Sequence, residues 1–371
     1  MSSIHSDALT YEQSGVSYDL IDPVKVSAQR AAAQTASNLA LHGFSECAAS
    51  RGESAYVVDV GPFYLASIVE CLGSKSMVAD DMLRLTGQSH FDAIAQDTIA
   101  MAVNDLITVG ATPLVVQAYW AAGGSDWFAQ RDRASALIDG WKRACDACGV
   151  AWGGGETPAL GGIVESGRID LAASCTGIIQ PKTRLSTGER LCAGDAIVLL
   201  PASGIHANGL SLARKLVERL PEGYLTEVAP GLTYGAALLE PTPLYANVLQ
   251  ALHQAGLHPN YCANITGHGW RKLMRHPGAY TYRMHTLPAV PPVLRFIQAH
   301  AGLSAEEAYG TLNMGAGFAL FVPGSQTTAV LEVCAAAGLT ALLAGEVMEG
   351  PRQVVIEPLS VVFGGDSLQL R

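Results

Sequence analysis

The chain has 371 residues, of which 49% are hydrophobic and only 15% charged, so it can bury one large core or two ordinary ones, and two domains is the expectation. Its formal charge of −10, with 33 Asp and Glu against 23 Lys and Arg, excludes a protein that works by neutralising many nucleic-acid phosphates. No stretch approaches the roughly 18 uninterrupted apolar residues of a spanning helix, and residues 1–11 lack the basic-then-apolar order of a secretion signal, so a cytoplasmic chain with no membrane or nucleic-acid partner is expected.

In chain order, Val24 to Leu41 is Ala-rich with interspersed polar residues, an amphipathic helix stopped by His42-Gly43. Tyr56 to Val60 and Phe63 to Val69 are β-branched and aromatic runs separated by Gly61-Pro62, hence adjacent strands. A loop with Gly73, Ser74 and Lys75 precedes a helix from Asp92 to Val109, ended by Gly110. Leu114 to Tyr119 reads as a strand, Arg131 to Cys148 as a helix, 153–155 as a Gly-Gly-Gly loop, and Ile169 to Ile179 as a strand. The polar stretch from Gln180 to Asp195 is the candidate linker, dividing the chain into 1–180 and 181–371. Beyond it come a strand at Ala196 to Leu200, a helix at Asn208 to Leu220, and one or two helices in Tyr234 to Ala255. Phe318 to Val322 then reads as a strand, Thr327 to Ala337 as a helix, and Val354 to Glu357 as a closing strand. Strands alternating with helices in both halves imply α/β or α+β layers.

Eight scattered cysteines suggest free thiols, and Cys145 and Cys148, though spaced C-x-x-C, lack a second pair at zinc spacing and lie in a predicted helix. On the earlier helix, from Asp92 to Val109, Asp97, Asn104 and Asp105 fall at i, i+7 and i+8, near one side. They fit a magnesium-nucleotide platform, and equally a solvated stripe. Gly73-Ser74-Lys75 offers the parts of a phosphate contact, although no Walker loop occurs. Gly153-Gly154-Gly155-Glu156 implies close backbone approach to something, with Glu156 at the edge, or a simple flexible loop. Ser203-Gly204-Ile205-His206-Ala207-Asn208-Gly209 lies between a strand and a helix, where backbone N–H groups favour phosphate; there Asn208 is also an ordinary helix cap.

Taken in order, these segments resemble the aminoimidazole ribonucleotide synthetase family, the phosphoribosylformylglycinamidine cyclo-ligases or PurM proteins. The match runs from Tyr11-Glu12-Gln13-Ser14-Gly15-Val16 through Gly73-Ser74-Lys75, Val103-Asn104-Asp105-Leu106 and Gly154-Gly155-Glu156-Thr157. It continues through the Ser203 to Gly209 segment, Pro241-Thr242, Ile265-Thr266-Gly267 and Asn313-Met314-Gly315-Ala316-Gly317. The resemblance implies a two-domain α/β (α+β) PurM-like fold. Residues 1–180 would bind ATP and dimerise, their strands pairing across a homodimer into a barrel, while 181–371 would form the α/β substrate-binding domain. It also implies ATP- and Mg2+-dependent cyclisation of formylglycinamidine ribonucleotide to aminoimidazole ribonucleotide, with release of ADP and phosphate.

Carried over by motif, Lys75, Asp105 and His206 would be catalytic. Glu70, Gly73, Ser74, Lys75, Asp97, Asn104, Gly154, Gly155 and Glu156 would bind the nucleotide, and Asp97, Asp105 and Glu156 the metal. Ser203, Gly204, His206, Asn208, Gly209, Thr266 and Gly267 would meet the small-molecule ribonucleotide, its phosphate near the N-terminus of the following helix. Departures are Glu70 for the family's Asp, Cys71 for Gly, Ala118 for Asp and Asn264 for His. They leave open a paralogue acting on a related amide or small molecule, or a non-catalytic nucleotide-binding homologue.

Overall fold

A computed structural model describes Gly15 and residues 17–368, so the opening motif, Gly15 apart, lies outside the described residues. Helix α1 spans Tyr18–Ala33 and passes through a 3-10 segment, Ala36–His42, to Gly43 in the left-handed region. The first sheet contains β1 (Ser45–Glu46), β2 (Tyr56–Asp59), β3 (Tyr64–Cys71), β4 (Thr112–Ala122), β5 (Ala151–Glu156) and β6 (Ile169–Ile179). Its order is β1-β2-β3-β6-β4-β5, antiparallel except for the parallel β4–β5 pair. Helices α2 (Lys75–Thr86), α3 (Phe91–Leu106), α4 (Asp126–Ala129) and α5 (Arg131–Cys148) accompany this sheet.

On β3, Ala66, Ile68 and Glu70 turn toward α3, while Ser67, Val69 and Cys71 are exposed on the opposite face. The sheet is therefore covered on one side and open on the other at this strand, a half-barrel. Cys145 and Cys148 are buried on α5, and burial pushes their thiols up to about 11 and about 12, the behaviour of packing residues.

The second half builds β7 (Asp195–Pro201), α6 (Leu210–Leu216), the β8 (Glu227–Ala229) and β9 (Leu232–Thr233) ribbon, α7 (Tyr234–Leu238) and α8 (Ala246–Gln254). These are followed by β10 (Tyr261–Asn264), β11 (Tyr280–Met284), α9 (Pro292–Ala301) and α10 (Ala305–Thr311). The chain closes with β12 (Ala316–Pro323), α11 (Thr327–Ala336), β13 (Leu342–Glu349), β14 (Gln353–Ile356) and β15 (Val361–Gly364). Seven strands form one sheet in the order β10-β12-β7-β13-β11-β14-β15. Central β7 and β12 are apolar nearly throughout and buried.

Two expectations are corrected, and one left open is resolved. Residues 153–155 are not a loop but the middle of β5, which pairs with β4. The helix expected from Asn208 starts at Leu210, because Gly209 holds a left-handed φ of +86° and a Cβ there would strike Leu312. The stretch 234–255, read as one or two helices, is two, parted by residues 239–245, whose Pro241 and Pro243 cannot sit inside one.

Candidate active site in the interdomain cleft

Helix α3 is buried almost all round from Asp97 to Leu106, packed on the first sheet and α5 and reaching the second half, so its polar side chains must find partners. Asp97 Oδ1 accepts from the backbone N–H of Thr242 at 2.8 Å and from the Thr242 hydroxyl. Its Oδ2 lies 2.7 Å from Lys75 Nζ, which also donates to the Glu240 carbonyl at 2.8 Å. Both side chains of this ion pair have zero exposure. Asn104 donates to the Pro243 carbonyl and accepts from the Tyr245 N–H, and Gln96 donates to the Thr242 carbonyl. The polar stripe thus grips residues 240–245 and ties the halves together.

Next to Asn104 on the helix, Asp105 opens onto a cleft of about 400 Å3 between the halves. Glu70 from β3 and Met101 from α3 share its lining, as do Lys25 and Gln29 of α1 and the Gly52-Glu53-Ser54 turn. The second half contributes Asn208, Thr266, Gly267, His268, Lys272 and Arg275. Burial, then the Asp105 charge, raises Glu70 to about 7. Burial, then Arg275, lowers Lys272 to about 8, and burial lowers His268 to about 3. Asn264, at the end of β10, donates from Nδ2 to Asp105 Oδ1 at 2.7 Å, so the amide that replaces the family's His holds this carboxylate.

The site residues expected from sequence therefore separate. Glu70, Asp105, Asn208, Thr266 and Gly267 meet in the cleft. Lys75, Asp97 and Asn104 lie in the interior beside it, where their functional groups are already paired. His206 is 4% exposed, with Nε2 unpartnered among the described residues and its ring against the Gly317 backbone; burial, helped by the Lys75 charge, pulls it down to about 3. Ser203 donates to the Pro241 carbonyl, and the Gly204 carbonyl accepts from Asn313. With Gly209 packed on Leu312, these residues shape the loop behind the cleft. Gly73 and Ser74 line a different cavity, of about 330 Å3, with Tyr119 and Arg168.

Convergence of Lys75, Asp97, Asp105 and Glu156 on one triphosphate is not found in the single chain. Glu70, Ala173, Ala118 and Gly155 stand in register across the sheet, which sets Glu156 three strands, on the order of 14 Å, from Glu70. Gly154, Gly155 and Glu156 are exposed on edge strand β5. Among the described residues, no three His, Cys, Asp or Glu side chains cluster as a metal centre. The seven residues of α6 are also too short to present a helix-terminus phosphate site. The sequence reading missed Lys25, Glu53, His268, Lys272 and Arg275; the basic run Arg271 to Arg275 directly after Thr266-Gly267 was the available signal.

Half-barrel sheet, second α/β sheet and a mixed-charge cleft between them define a two-domain fold built for a small polar ligand. Family models for the AIR synthase related protein match both halves, the N-terminal domain over residues 52–179 and the C-terminal domain over 193–357. A phosphoribosylformylglycinamidine cyclo-ligase of Shouchella clausii is 35% identical over 288 residues, 76% of this chain and 80% of that protein. One from Methanothermobacter thermautotrophicus is 31% identical over 353 residues, 94% and 97% of the two chains. The chain belongs to the phosphoribosylformylglycinamidine cyclo-ligase family, as a divergent branch. Solved structures share its fold. Among them are thiamine monophosphate kinase from Aquifex aeolicus (TM-score 0.53, 18% identity, 83% and 90% coverage) and hydrogenase maturation protein HypE in complex with ATP (TM-score 0.56, 18% identity, 82% and 84%).

Proposed function

We propose that the protein is an ATP-dependent cyclo-ligase that closes formylglycinamidine ribonucleotide to aminoimidazole ribonucleotide, releasing ADP and phosphate in purine biosynthesis. The observation that carries this reading is that Glu70, Asp105, Asn208, Thr266 and Gly267, motif residues from both halves, line one cleft. ATP phosphorylates the formyl-amide oxygen, making it a leaving group, and the amidine-side nitrogen attacks and expels phosphate. The residues act by positioning and by balancing charge.

The carboxylates of Glu70 and Asp105 suit magnesium, which takes oxygen ligands, because a cation between them offsets both the burial that raises Glu70 to about 7 and the Asp105 repulsion that adds to it. Magnesium there would neutralise charge on the transferring phosphoryl group. Asn264 keeps the Asp105 carboxylate turned to the cleft, and Lys75 with Asp97 acts as the strut behind it. A cytoplasmic address belongs to this reading as that of a biosynthetic enzyme; among the described residues no helix is long and apolar enough to cross a membrane. The open face carrying Val69 supports a homodimer closed through the first sheet, with Glu156 and the neighbouring β5 glycines available to a site completed across that interface.

The test is ADP release from magnesium-ATP with and without formylglycinamidine ribonucleotide, coupled to detection of the aminoimidazole product. Substrate-dependent turnover is expected, and its absence sinks the proposal. Asp105→Ala should lower kcat/KM by at least about 100-fold, the scale of losing one electrostatic stabiliser, with the protein still folded. Full activity in that variant removes Asp105 from the site.

A further inference from the structure

The basic wall of the cleft belongs to none of the motifs. Residues Gly269–Met274 form a 3-10 segment in which Trp270, Leu273 and Met274 are buried, leaving Lys272 and Arg275 on the cleft side. Arg275 is committed to structure: Nε donates to the Gly52 carbonyl at 3.0 Å and Nη1 to Ser54 Oγ at 2.8 Å. Lys272 differs. It feels the charges of Glu70 and Asp105, yet makes no hydrogen bond or ion pair with any described residue. Asn208 lines the same cleft, and its Nδ2 is buried with no acceptor among the described residues. An ammonium and an amide N–H, both unsatisfied, call for a ligand that only accepts hydrogen bonds and carries negative charge.

We propose that Lys272, with Asn208 beside it, receives the phosphate monoester of the ribonucleotide. This assignment rests on the cyclo-ligase reading and adds the residue that anchors the substrate. Both donors come from the second half, whereas the carboxylates suited to magnesium and the triphosphate come from the first, so the two phosphate-bearing ligands approach from opposite walls.

Lys272→Met should raise KM for formylglycinamidine ribonucleotide by about 10- to 100-fold, the scale of one charge-assisted hydrogen bond, while KM for ATP stays within about twofold. Lys272→Arg, which keeps the charge, should recover part of the loss. In the wild type, the dephosphorylated nucleoside should bind far more weakly than the nucleotide; in Lys272→Met the two should converge. An unchanged ribonucleotide KM, or a rise confined to ATP, overturns the assignment. A second readout does not need turnover, so it separates this inference from the cyclo-ligase reading. Ribose 5-phosphate should raise the Tm of the wild type and compete with the ribonucleotide rather than with ATP. It should leave the Tm of Lys272→Met unmoved. Equal shifts in both proteins, or competition with ATP in the wild type should the variant not fold, count against Lys272.

Discussion

Lys75 shows how a residue expected from its motif to meet a nucleotide can lie paired in the interior. As sequence it sits in a Gly-Ser-Lys turn, the dress of a phosphate contact; in the fold it is the first residue of α2 and fully buried, 2.7 Å from Asp97. Its burial depends on Asp97 and on the Glu240 carbonyl, partners far along the chain that no local pattern reveals. Asp105 and Asn208 were legible because their motifs recur around a cleft, whereas Lys272 carries no motif and becomes visible only once its neighbours are in place. A lysine that serves as a strut makes a definite prediction. Lys75→Met leaves the Asp97 carboxylate uncompensated in the interior and should cost about 3–5 kcal/mol in urea unfolding, while the double change Lys75→Met with Asp97→Leu should recover most of it. If Lys75→Met unfolds at the wild-type midpoint yet is inactive, the lysine touches substrate instead.

At the scale of elements, the helix at Arg131–Cys148 and the strand at Ile169–Ile179 were readable to the residue, since each carries a long, clean period. Helices α2, α9 and α10 and strands β10, β11 and β13 were not read. Buried on the scale of the whole sheet or only partly apolar, these segments take their form from neighbours distant in sequence. The triple glycine is the instructive case. Its composition announced a close backbone approach, and within the chain that approach is to β4: a Cβ on Gly155 would lie 2.0 Å from the Ala118 carbonyl oxygen. Gly155→Ala should therefore force β4 and β5 apart and cost about 1–3 kcal/mol. Gly153→Ala, whose Cβ would meet nothing nearer than 3.4 Å, serves as the control and should stay within about 0.5 kcal/mol. Equal melting temperatures for the two variants would show that β5 moves freely against β4.

Over the whole molecule, the two sheets are joined by polar contacts inside an otherwise apolar core, and several titratable groups are held there in one protonation state. His253 on α8 is 9% exposed; burial, then the charges of Arg184, His258 and Arg190, pulls it down to about 4, and burial pulls His206 and His268 down to about 3. An unfolded histidine titrates near 6.5. Between that value and the folded ones the unfolded chain binds more protons, so stability rises with pH through this window. The contribution is complete above about pH 6.5 and is lost as pH falls through the folded values. Each such histidine is worth on the order of 1–3 kcal/mol. His253 isolates the effect because it lies outside the cleft and makes no hydrogen bond with any described residue that its replacement would break. Urea unfolding of wild type and His253→Leu at pH 7.5 and pH 5 should show the variant losing less stability on acidification, by about that amount. The same loss in both proteins would mean that the acid sensitivity arises elsewhere, in the paired carboxylates, and that His253 is free to take its proton in the folded state.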